Sequence, residues 1–310
     1  MNGWAPNQFR QSNKFGEASV LVTLAILQDP SVKHWLGGIE PAWTLLDQLS
    51  FGALSRPPSS TTGPIRLASD LTHEETQQSA VARNTLVLLR SAADGTGLKM
   101  TATGNLSRDV VAKMCDLFVW PGFDRAHAFR LHKVVNEPDF LPLFFVRHLA
   151  ETAKLLRKYK GRLKVTPAGR KMLEEPNEAS LQAILFYIAL WRVDLEYLSR
   201  GLHDGWPQRD VGIVLWSLSI AANDWESPER LTRICTIPID RVLDTPWDTG
   251  THAMEATILR PLWWFGLLEY RQDDIAGSRF EKRHFYRKTA LFDRFLSFNV
   301  KFEFTSSRHH

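Results

Sequence analysis

The stretch RHLAETAKLLRKYKGRLKVTPAGRKML, Arg147 to Leu173, decides how the rest of the chain is read. Leu143, Val146, Leu149, Ala150, Ala153 and Leu156 recur at helical spacing and predict a helix over 139–160 with one buried face. Lys154, Arg157, Lys158 and Lys160 fall in its last turns, where cations suit the helix dipole, and Gly161 is placed to stop it. Leu163 to Thr166 alternates like a short strand, and Pro167-Ala168-Gly169 begins a turn or a new helix. Between Glu151 and Glu174 there are eight Lys or Arg and no acid. A helix followed by a cationic flap is an arrangement that faces a phosphate backbone.

Outward from this stretch, 310 residues suggest two domains or three small ones, and a hydrophobic content of 44% is enough for a real core. The net charge of +4 permits a polyanionic partner without requiring one. Cys115 and Cys235 are too far apart in sequence for a zinc-site spacing and too few for a disulfide framework, so a reducing cytoplasm is the expected setting. No long apolar run suggests a membrane span, and the first residues do not read as a secretory signal.

Residues 1–16 read as loosely docked, Ala18–Leu27 and Pro41–Leu49 as short helices, and Ser55–Pro64 as a linker. Thr72-His73-Glu74-Glu75 is a capping box opening a helix towards Ala93. A strand at Leu98–Thr101, a helix capped by Ser107 and an aromatic connector from Trp120 to Lys133 lead into the opening stretch. Pro176 ends this unit. Ser180–Arg200 reads as a long bridging helix. Helices at 210–223 and 227–235 follow, then an apolar helix at 253–270 bent near Pro261, an alternating strand at Phe280–Lys288 and a closing helix at 290–298. The order of the first unit thus recurs in the second.

Leu98-Lys99-Met100-Thr101-x-x-Gly104 is echoed by Leu163-Lys164-Val165-Thr166-x-x-Gly169, and the two strands are expected to pair in one small sheet. The corner Leu98 to Leu106 and the stretch Lys160 to Gly169 together resemble a group of bacterial winged-helix proteins, often plasmid- or prophage-associated. These carry a Leu-Thr-x-x-Gly-Asn-Leu corner and a later Leu-x-Leu-Thr-x-x-Gly wing. The resemblance covers about residues 71–175, implies the fold of that unit, and brings no catalytic set with it.

The expected fold is mainly α with small β-wings, as tandem winged-helix-like units joined by a long helix. Its segments are 1–64, a helical region and linker; 65–176, the first unit; 177–208, the bridge; and 209–304, the second unit. The expected function is non-enzymatic contact with duplex DNA by a cytoplasmic protein, regulatory or plasmid- or phage-related. The candidate contacts are Arg147, Lys154, Arg157, Lys158, Lys160, Arg162, Lys164, Arg170 and Lys171, with Arg283 and Arg287 on the second wing. The competing reading of both basic stretches is a solvated face. The competing function is a protein-interaction scaffold with its partner on the Trp-rich C-terminal half. A homodimer through the apolar helices at 180–198 and 253–270 is a further expectation.

Other constellations carry less. Asp244, Asp248 and His252 would share a helix face, but Pro246 and Gly250 favour a turn, so no metal is expected. His127, His132 and His203 have no nucleophile or acid at a recognised spacing. Trp263-Trp264-Phe265 lies among leucines and reads as core or interface rather than a base-stacking platform. No phosphate loop, zinc-protease motif or nucleophile elbow occurs, and no cofactor is expected.

Overall fold

The capping box at Thr72 forms. Its hydroxyl accepts from the Glu75 amide at 3.2 Å, and the Glu75 carboxylate accepts from the Thr72 amide at 2.7 Å. The helix it opens is short, however, because Ser79 caps a second one through the Ala82 amide. The computed structural model describes residues 25–58, 63–123, 129, 134–174, 177–198, 205–243, 248–275, 277 and 282–302. The expectations for residues 1–16, for most of 18–27, for His127, His132, His203, Asp244 and Pro176, and for parts of the linker and the connector lie outside them.

The chain is mainly helical with small antiparallel sheets. Helices α1 (Pro30–Leu36) and α2 (Gln48–Leu54) precede strand β1 (Ile65–Leu67). Pro41–Leu49 is not one helix: Ala42–Leu45 forms a 3-10 turn, and Asp47 then caps α2. Next come α3 (His73–Gln77), α4 (Ala80–Ala93), β2 (Leu98–Lys99), α5 (Arg108–Leu117), α6 (Leu141–Thr152), β3 (Leu156–Tyr159), β4 (Arg162–Val165), α7 (Pro167–Glu174) and α8 (Glu178–Trp191). The C-terminal part holds α9 (Val211–Ala221), α10 (Pro228–Cys235), α11 (Asp240–Leu243), α12 (Thr249–Met254), α13 (Arg260–Trp264), β5 (Leu268–Asp274), β6 (Lys282–Lys288), α14 (Ala290–Phe295) and β7 (Leu296–Phe298).

The two echoing strands do pair. β2 lies antiparallel to β4 with Leu98 opposite Leu163, and β3 flanks β4 on the other side. The second half holds a two-stranded sheet, β5–β6. Glu226, between α9 and α10, bridges Tyr286 of β6, which in turn pairs with β5. Strand β1 pairs with β7, joining the N-terminal region to the end of the chain.

The helix expected at 253–270 is divided. A π-helical segment, Glu255–Leu259, links α12 to α13, and the helix ends at Trp264. Leu268 to Asp274 is strand, paired residue for residue with β6. The expected bridge also changes character. α8 stops at Trp191 and is apolar nearly all round, with Leu181, Leu185, Phe186, Ala189 and Leu190 buried. A helix of that kind belongs inside a core. Phe186 meets Phe265 and Phe295 edge-on at 5.4 and 5.1 Å, a geometry that adds about 0.5–1.5 kcal/mol per pair beyond burial. Buried side chains from Ala42 to Leu296 form one continuous cluster around it. The helices offered for dimerisation, 180–198 and 253–270, therefore spend most of their apolar surface within the chain, and Ile184 is the large hydrophobic they leave exposed. Among the described residues, no helix is long and apolar enough to cross a membrane.

Candidate nucleic-acid interface

The decisive stretch folds differently from its helical reading. α6 ends at Thr152, and Lys154 adopts a left-handed conformation with φ 57°. The Leu155 amide turns back to the Ala150 carbonyl at 2.9 Å, closing the helix. Lys154, Arg157, Lys158 and Lys160 are therefore not on a helix: the last three, with Arg162 and Lys164, belong to the β3–β4 hairpin. Thr166 locks the corner. Its hydroxyl donates to the Lys154 carbonyl at 2.7 Å and accepts from the Gly169 amide at 3.1 Å. Gly169 is required because a Cβ there would lie 2.3 Å from the Leu155 oxygen.

The hairpin turn is Lys160-Gly161, with φ 48° and 70°. Two consecutive positive φ values mark the two-residue turn that matches strand twist, for which Asn-Gly is the usual choice. Register then sorts the side chains. Leu156, Lys158, Leu163 and Val165 share one face; Arg157, Tyr159, Arg162 and Lys164 share the other. Leu156 and Leu163 are buried, which fixes the cationic face outward. There Arg157 stands directly opposite Lys164, like charge against like.

Tyr159 is 44% exposed at the centre of this face. The Arg157 guanidinium lies 5.4 Å from its ring centroid, and the Lys160 and Lys164 ammonium groups lie at 5.4 and 5.3 Å. Lys158 reaches back to Glu151 at 3.8 Å. Arg162 donates to the Gly97 carbonyl at 2.9 Å. Arg170 and Lys171 extend the charge onto the exposed side of α7. Among the described residues, none of Lys154, Arg157, Lys160, Lys164, Arg170 and Lys171 forms an ion pair.

Arg147 is a correction. It is buried, it pairs with the fully buried Glu137 and with Glu151 at 3.3 Å, and it donates to the Gly104 carbonyl at 3.0 Å. The Leu106 amide donates to the same Glu137 carboxylate at 2.6 Å. Arg147 thus welds the Thr101–Leu106 corner to α6 and is withdrawn from any surface. Burial raises the Glu137 carboxyl above its ordinary range, against the pull of the Arg147 guanidinium.

The second hairpin is also more neutral than its cations suggested. Arg287 pairs with Glu269 at 2.6 Å, Arg271 with Asp273 at 3.1 Å, Lys282 with Asp274, and Lys288 with Asp293 at 2.9 Å. Arg283 is exposed and stands across from Asp273. Of the aromatic triplet, Trp264 and Phe265 are buried core, and Trp263 packs 4.7 Å from Tyr270. Asp248 serves as the cap of α12, bonding the Thr251 amide at 2.9 Å.

Composition and spacing overlooked Tyr159 and the Glu137–Arg147 pair. The alternation Arg-Lys-Tyr-Lys-Gly-Arg carries the hairpin signal, but Lys in the usual Asn position disguised it.

Residues 77–178 match the Y4jL N-terminal domain family. The chain is also 32% identical over 147 residues to "Uncharacterized protein y4jL" of Sinorhizobium fredii; the alignment covers 47% of this chain and 61% of that relative. The chain therefore spans less than two thirds of that relative's length. No solved structure matches. The family match takes in the β3–β4 hairpin.

Proposed function

We propose that this is a non-enzymatic DNA-binding protein of the cytoplasm, built from two winged-helix-like units, which grips duplex DNA through the β3–β4 hairpin and the start of α7. The helix–strand–helix–helix–hairpin order of α4, β2, α5, α6 and β3–β4 supports a winged helix at 65–176. The order α9, Glu226, α10, α12–α13 and β5–β6 supports a second at 209–304, with α8 packed between them. The observation that carries the reading is the outward face of β3–β4, where Arg157 opposes Lys164, Arg162 lies beside them and no acid intervenes. Like charges directly across a strand pair destabilise it. A polyanion relieves that repulsion.

The two lysines in left-handed conformations point the same way. Lys154 and Lys160 are the described non-glycine residues with positive φ, and each holds a position where Gly or Asn would cost less. Charge is kept there at the expense of backbone comfort. α6 presents no exposed cation among its described residues, so backbone neutralisation by the hairpin, rather than base reading by the helix, is the proposed mode.

A mobility-shift titration of the full chain on duplex DNA at several salt concentrations tests this. Engagement of six phosphates by Lys154, Arg157, Lys160, Lys164, Arg170 and Lys171 gives a slope of log K against log salt of roughly −5. Absence of binding at low salt removes the proposal.

A further inference from the structure

A cleft of about 610 Å³ lies away from the cationic hairpin, where α4 and the Val119–Pro121 segment meet β5. Its volume suits a small organic ligand. Trp120, Trp225, Trp263 and Tyr270 give it aromatic walls. These rings are held in place. The Arg271 and Arg287 guanidinium groups lie 4.9 and 4.8 Å from the Trp225 ring, and Trp263 lies against Tyr270.

Arg83 of α4 also lines the cleft. It is partly buried, and its hydrogen bond among the described residues is a long one of 3.4 Å from Nε to the Ser79 carbonyl. It has no acid partner among them. Glu269, the carboxylate lining this cleft, is already engaged by Arg287 at 2.6 Å. A guanidinium stays charged and presents a planar fork matched to a carboxylate. A half-buried cation with no counter-ion among the described residues, beside aromatic walls, specifies its own complement.

We propose that this cleft is a binding site for a planar aromatic carboxylate of one or two rings, with its ring against the Trp and Tyr side chains and its carboxylate on Arg83. The site is independent of DNA binding and uses none of the β3–β4 cations.

The test is titration of the full chain with 2-naphthoate and with its neutral analogue 2-naphthylmethanol, read by quenching of tryptophan fluorescence and by thermal shift. Wild type is expected to bind the acid saturably and about ten-fold or more tighter than the alcohol, the range of one charge-assisted contact. Arg83→Gln should abolish that preference while leaving the alcohol unchanged, and Arg83→Lys should retain part of it. Val119→Glu places an anion on the exposed rim, where no fold contact is lost, and should weaken the acid alone. Absence of saturable binding of the acid, equal affinities for acid and alcohol in wild type, or a preference unchanged in Arg83→Gln or Val119→Glu overturns the proposal. Should Arg83→Gln fail to fold, the wild-type comparison and the rim variant decide it.

Discussion

On β5–β6, Glu269 faces Arg287, Asp273 faces Arg283 and Asp274 faces Lys282; on β3–β4, Arg157 faces Lys164 and no acid is present. Both hairpins follow a buried helix, and both have a third element paired to their second strand. Their backbones solve the same problem and their charges do opposite things. In the second, cross-strand pairs cancel locally, and Arg271 and Arg287 spend their planes on Trp225. In the first, the acids of the region sit beneath the hairpin, where Glu137 and Glu151 neutralise the buried Arg147. Equivalent position in the chain therefore does not imply equivalent surface, and a basic count read from sequence cannot separate the two cases.

The largest expected effect lies on the buried side of that contrast. Arg147→Leu leaves Glu137 uncompensated in the interior and should lower unfolding stability by about 3–5 kcal/mol in urea titrations. Arg287→Leu breaks an exposed pair on the other hairpin and should change stability by less than about 1 kcal/mol. Similar losses from both would erase the distinction between an interior and a surface ion pair.

Next is the DNA contact. Reversing Arg157, Lys160 and Lys164 to Glu should weaken duplex binding by about a hundred-fold or more and flatten the salt slope by roughly 3. Arg162 is spared because it holds the Gly97 carbonyl. Reversing Arg283 and Arg287 instead should alter affinity by about two-fold at most, since acids already face them. An equal loss from the second set would mean that both hairpins touch DNA.

A third experiment converts one hairpin towards the other. Glu269→Gln, Asp273→Asn and Asp274→Asn strip β5–β6 of its acids while keeping their shape. Duplex affinity should rise a few-fold and the salt slope should steepen by about 1–2 if the freed cations reach phosphate. No change would show that β5–β6 faces away from the duplex that β3–β4 is proposed to bind.

Much of this was legible in the residues, for identifiable reasons. The capping box at Thr72, the Ser227 cap and the Leu98–Leu163 strand pairing depend on short-range chemistry or on repeated local pattern, and each formed as read. The helix over 139–160 did not extend past Thr152, because leucine spacing at 149, 155 and 156 fits a helix and a strand equally, and the break depends on Lys154 taking a conformation rare for its type. The fate of Arg147 was illegible for a different reason. Its partner Glu137 comes from a separate turn, so the pairing is a tertiary event with no local signature. The Arg83 cleft likewise gathers residues far apart in the chain.

The smallest effect separates charge from conformation at a single position. Lys160 occupies the first place of a turn with φ 48°, where Asn is the better-suited residue. Lys160→Asn should raise unfolding stability by about 0.5–1 kcal/mol, since the left-handed region costs a lysine on the order of 1 kcal/mol and an asparagine less. The same change removes one cation, so duplex affinity should fall a few-fold and the salt slope should flatten by about 0.9. The opposite signs are the point. A turn selected for folding alone would carry the asparagine, and the lysine persists only if its charge is used. A variant that gains stability with its DNA affinity intact would show that Lys160 contacts no phosphate, and would confine the interface to the strand residues Arg157 and Lys164 and to α7.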